Sequence, residues 1–176
     1  MRSMIMVSLA ALALAGCGSG ADADGDGRIT NQEAAVATKD ATLPEPGLYK
    51  ITVDIEEMTI PGMPPEMAAQ MKKTQAANMS IENCLTEADR ANMVKQMAPQ
   101  GDQCTYDKYD LSGGKIDAKM TCKTPDGGTA VTTMAGTVSS TGVDMVMENT
   151  QTGGAAQSGT HMKMHLKNTR IGECKA

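Results

Sequence analysis

The chain has 176 residues and a formal net charge of −5, from sixteen Lys and Arg against twenty-one Asp and Glu. With no cation excess to neutralise phosphates, and three Tyr but no Phe or Trp on which bases could stack, nucleic acid is excluded as a partner. Two His, and no G-x-S-x-G or H-E-x-x-H pattern, leave little scope for catalysis, so no enzyme is expected.

In chain order, Arg2 precedes an apolar run from Met4 to Leu14, too short to span a bilayer but of signal-peptide proportions. Leu14-Ala15-Gly16-Cys17 follows, and it resembles the lipobox of bacterial lipoproteins. The resemblance implies that residues 1–16 are a signal peptide cleaved before Cys17. It also implies acyl chains on that residue's sulfur and new amine, which anchor without a transmembrane helix. Gly18, rather than Asp, after the cysteine points to the outer membrane, with the anchor facing the periplasm.

Residues 17–45 are expected to form a lipidated tether. Within it, residues 22–33 read Asp-Ala-Asp-Gly-Asp-Gly-Arg-Ile-Thr-Asn-Gln-Glu. Asp22, Asp24 and Asp26 stand at loop positions one, three and five, and Gly27 is at six. The Arg28 carbonyl is at seven, Ile29 at eight and Glu33 at twelve. This resembles the calcium loop of the EF-hand family, because Ca²⁺ takes six to eight oxygens and Gly permits the sharp turn that converges them. The entering helix and a second, pairing loop are missing from the pattern. The expectation is therefore weak calcium binding, in the ~10⁻⁴–10⁻³ M range of extracellular modules. Glu33 to Lys39 reads as a short exiting helix that Asn31 is placed to cap.

The folded domain is expected over residues 46–176. Tyr49, Ile51, Val53 and Ile55 alternate with Lys50, Thr52, Asp54 and Glu56, the mark of a half-buried strand. Glu66 to Ala77 is helical in composition. Asn78 to Leu85 fits a short strand, and Thr86-Glu-Ala-Asp89 opens a second helix to about Met97. Strands are then expected over 104–111, 115–123, 129–138, 143–150 and 160–170, parted by Gly-rich turns. The expected fold class is α+β. Its curved antiparallel β-meander has about six strands, with two helices inserted after the first strand.

Cys84, Cys104, Cys122 and Cys174 remain once Cys17 is set aside, an even number suited to disulfides in an oxidising compartment. Four cysteines allow three connectivities. Cys84–Cys104 and Cys122–Cys174 are favoured, because the first pair brackets a helical segment and the second pair ends strands.

Pro46-Gly47-Leu48-Tyr49-Lys50 opens this region, Cys84-Leu85-Thr86 starts a helix, and Arg170-Ile171-Gly172-Glu173-Cys174 closes it. Over residues 46–174 the chain resembles the domain-of-unknown-function family 3617, with Tyr49 where the family usually has Trp. That resemblance implies a fold and no mechanism.

The sixteen Met raise two binding ideas. Met63, Met67 and Met71 recur along a helix face, and such surfaces, or a sheet capped by helices, suit a small apolar ligand or an envelope protein partner. The alternative is a copper-binding envelope protein using Met and His ligands, with His161-Met-Lys-Met-His165 as the best stretch. In a strand its two His share a face but stand about 13 Å apart. Met162 and Met164 fall inward, where, without Phe or Trp, methionine fills the core. A purely structural envelope component is the third reading.

Overall fold

The computed structural model describes residues 21–38, 41–78, 80–90, 92, 103–154 and 159–175. The lipobox and Cys17 lie outside the described residues. The predicted second helix is described at Glu87–Arg90, which are helical behind a Thr86–Asp89 capping box, while most of its remainder lies outside.

The elements run α1 (Asn31–Thr38), β1 (Gly47–Thr59), α2 (Pro65–Asn78), β2 (Ser80–Leu85), β3 (Cys104–Ser112), β4 (Lys115–Lys123), β5 (Thr129–Ser139), β6 (Gly142–Thr152) and β7 (His161–Gly172). All seven strands join one antiparallel sheet in the order β2-β1-β7-β6-β5-β4-β3. β3 to β7 form an up-and-down meander, and β1 returns to pair with β7. Gly113 and Gly114 make the first tight turn with φ of 56° and 73°. Only residues that tolerate positive φ at both positions fit a two-residue hairpin of this hand.

The fold-class expectation is corrected on three counts. Among the described residues the protein is mostly β, the sheet has seven strands rather than about six, and no pair of helices is inserted after the first strand. Ser80–Leu85 is a full edge strand because every residue of it finds a partner on β1, from Thr52↔Ser80 to Gly47↔Leu85. That pairing leaves α2 alone between β1 and β2. α1 precedes β1 and packs at the far edge, on β3.

The disulfide pairing also differs from the expected one. Cys104 and Cys122 face each other across β3 and β4, with Cα atoms 4.0 Å apart. Cys84 on β2 joins Cys174 just beyond β7, closing a separation of 90 residues. The first bond links adjacent strands, and the second ties β2 to the end of β7 with β1 between them. Sequence brackets carry no information on which strands become neighbours.

One face of the sheet carries the core. A single cross-strand row runs Tyr109–Ala118–Met134–Met147–Met164–Ile55, from β3 to β1. At the β3 end Tyr106, Tyr109, Leu111, Ile116 and Ala118 are buried together with Ile29 and Ala34. Above β1, the buried Tyr49 donates its hydroxyl to the Glu45 carbonyl at 2.6 Å, which fixes the linker across the sheet. Gly136 faces Met145 in this layer, and a Cβ there would collide with the Asp144 carbonyl and with Met145 itself. The opposite face carries the charges.

Candidate functional site

Two places bring chemistry-bearing residues together. The first is the acidic loop. One carboxylate oxygen from each of Asp22, Asp24 and Glu33 lies within 4.8 Å of the others. Asp26 is outside that group, and its Oδ1 accepts the Arg28 amide at 2.7 Å. Gly27 has a φ of 79° and donates its amide to Asp22 Oδ2, so the turn is the kind that glycine favours.

Glu33 has a double position. Its Oε1 accepts the Ala23 amide at 2.9 Å and its Oε2 accepts the Thr30 amide at 2.8 Å. The Glu33 amide in turn donates to Thr30 Oγ1, which completes a capping box. Thr30, not Asn31, is therefore the cap of α1. These hydrogen bonds, led by the one from the Thr30 amide, hold the Glu33 carboxyl below the usual carboxylate range.

The loop is seated on the sheet edge. Ile29 donates its amide to the Tyr106 carbonyl at 3.0 Å and accepts the Tyr106 amide at 3.3 Å. Its side chain is 5% exposed within the core. At the far end of α1, the Thr38 hydroxyl lies 2.7 Å from the Tyr109 hydroxyl and donates or accepts across that gap. The rings of Tyr106 and Tyr109 meet edge to face at 5.0 Å. Burial, helped by Tyr109, pushes the Tyr106 hydroxyl up to about 12. Ile29, Ala34 and Thr38, within the segment expected as a tether, are thus buried at the β3 edge. The apolar residue at loop position eight was the sequence signal; Tyr106, Tyr109 and Thr38 as its seat were not legible.

The second place is a groove of about 590 Å³ on the core face. Met147, Met162, Met164 and Ile60 line it, with Thr132, Asn149, Gln151 and Thr160 as its polar part. Asn149 donates to the Thr132 hydroxyl at 2.8 Å, so the polar groups are partly tied to one another. Asn149 and Gln151 stand at inward positions of β6, a break in alternation that could have marked the site. Of the predicted Met63, Met67 and Met71 stripe, Met63 precedes α2, while Met67 and Met71 border a separate surface hollow with Gln70 and Thr74.

The structure does not bring the Met and His of residues 161–165 together. Met162 and Met164 open into the groove, while His161 and His165 stand on the charged face. There His161 Nε2 is 2.9 Å from Glu148 Oε1, and His165 Nε2 is 2.6 Å from Asp144 Oδ1. The His165 hydrogen bond holds the Asp144 carboxyl below its ordinary range. Lys163 adds an ion pair to Glu56 at 3.0 Å on the same face.

No match was found among curated proteins or among solved structures. The family described as protein of unknown function, DUF3617, matches residues 44–174, which covers the whole sheet from β1 to β7 and leaves the acidic loop outside. The chain belongs to the DUF3617 family.

Proposed function

We propose that the protein is a non-enzymatic periplasmic lipoprotein, acylated at Cys17 and held at the outer membrane, whose sheet binds a small apolar ligand. The observation that carries the ligand reading is the groove. Its lining is thioether, aliphatic, hydroxyl and amide, which suits an apolar body with an uncharged polar end. Its volume of about 590 Å³ lies within the ordinary range of small-molecule sites, ~300–1,000 Å³. The Leu14-Ala15-Gly16-Cys17 order supports the anchor.

Native mass spectrometry of protein extracted gently from membranes tests the ligand directly. The expected result is a co-purifying neutral mass released by mild activation; a bare chain at every activation energy rejects the reading. Cys17→Ser is expected to move the protein from the membrane to the soluble periplasmic fraction.

The loop from Asp22 to Glu33 adds weak calcium binding to this reading. Three converging carboxylates form a hard oxygen set of the kind Ca²⁺ takes, with the Arg28 carbonyl and Asp26 next in the loop. Millimolar Ca²⁺ is expected to shift the Gly27 amide resonance strongly, and Glu33→Gln to weaken that response. An unmoved Gly27 signal leaves the segment as an acidic spacer.

A further inference from the structure

We propose that Met147, Met162 and Met164 form a thioether site for a soft monovalent metal ion, Cu(I) or its like. It goes beyond the apolar-ligand reading and does not depend on it. Met147 and Met164 are direct cross-strand partners, and such partners hold their Cβ atoms about 5 Å apart on one face. Met162 lies two residues along β7 on that same face, about 6.7 Å from Met164 and about 7–8 Å diagonally from Met147. All three line one open groove. They stand at the corners of a triangle on adjacent strands, and each has flexible bonds that can bring its sulfur to a common centre.

The surrounding chemistry selects for softness. Ile60, Thr132, Asn149, Gln151 and Thr160 complete the described lining, with no carboxylate, imidazole or amine among them. A hard dication finds no anionic oxygen here, whereas neutral thioethers are preferred ligands of Cu(I). The choice of residue also needs a cause. On the adjoining β1 the same face is built from Ile51, Val53 and Ile55, the β-branched types that strands favour, with Met58 opposite Met162 beyond the bulge. β6 and β7 instead place Met145, Met147, Met162 and Met164 there. Methionine loses more side-chain freedom on ordering than Ile or Leu, so packing alone does not favour it. The two His, which would add nitrogen ligands, face away with their carboxylates.

The test is an anaerobic Cu(I) titration of the purified protein carrying ¹³C-methyl methionine, read by NMR. One equivalent is expected to shift the methyl signals of Met147, Met162 and Met164 together and to saturate, with no response to Zn²⁺ or Ca²⁺. Met147→Leu keeps the groove apolar and should weaken Cu(I) binding at least tenfold. Met67→Leu, at an exposed α2 position, should leave it unchanged. A non-saturating shift spread over the methionines, or full binding by Met147→Leu, overturns the site. Met162→Leu replaces that variant if the amide spectrum shows that Met147→Leu has disturbed the sheet. Uptake of an uncharged apolar dye by Met147→Leu reports the groove separately, so failure of the metal site and failure of the apolar-ligand reading are told apart.

Discussion

The β3–β4 end of the core face and its β6–β7 part belong to one sheet and share a cross-strand row, yet they are finished differently. At the first end Tyr109 and Ala118 are 2% and 1% exposed, sealed by Ile29 and α1. On β6 and β7, Met147 and Met164 of the same row are half-buried and border a groove. The lesson is that a segment outside the family match completes the core at one edge, while the family's own strands leave the other part open. Stability is concentrated where the loop and α1 sit; access is concentrated where they do not reach.

That contrast can be broken or sharpened by experiment. Tyr109→Ala removes a buried ring and leaves Thr38 without its hydroxyl partner, and we expect a loss of about 4 kcal/mol in denaturant unfolding. A loss under 1 kcal/mol would erase the distinction between the two parts. Next comes the double replacement Cys104→Ser/Cys122→Ser. Closing an 18-residue separation is worth about 3 kcal/mol by chain entropy, and the midpoint should fall accordingly in a urea titration.

Alkali acts on the same end. The Tyr106 hydroxyl binds its proton more tightly in the folded state than in the unfolded chain, where it titrates near 10. Its contribution is therefore complete below pH 10 and is lost as pH rises toward about 12. We expect roughly 2 kcal/mol to disappear across that window, with phenolate absorbance appearing together with unfolding. Tyrosinate forming well before unfolding would show that α1 does not seal the ring. The smallest effect belongs to the open part. Met147→Leu should change stability by less than about 1 kcal/mol in the same urea titration, since the volume is kept and the site is only half-buried. A larger loss would mean that the groove is core after all.

A good deal of this was legible in the residues. Alternation at Tyr49, Ile51, Val53 and Ile55 and the Gly-rich turns placed the strand ends within three residues, because side-chain period and turn chemistry are local properties. Of the carboxylates marked by the loop spacing, Asp22, Asp24 and Glu33 converge and Asp26 does not. The division of the Met and His stretch between two faces was legible as well. Neighbours in a strand point to opposite faces, and the structure gives Met162 and Met164 to the groove and His161 and His165 to the charged side.

The sequence by itself determined the strand segments, the glycine turns, the acidic loop, and the inward side of β1 and β7. Each of these depends on residues a few positions apart. The tertiary structure alone decided the order of the strands in the sheet, and with it that Cys84 meets Cys174 and Cys104 meets Cys122. It also decided that Ser80–Leu85 takes the sheet edge beside β1 and that Ile29 seats the loop against Tyr106. Those outcomes turn on pairings across 18 to 90 residues. The free energy of such pairings comes from burying a shared face, which no local pattern records.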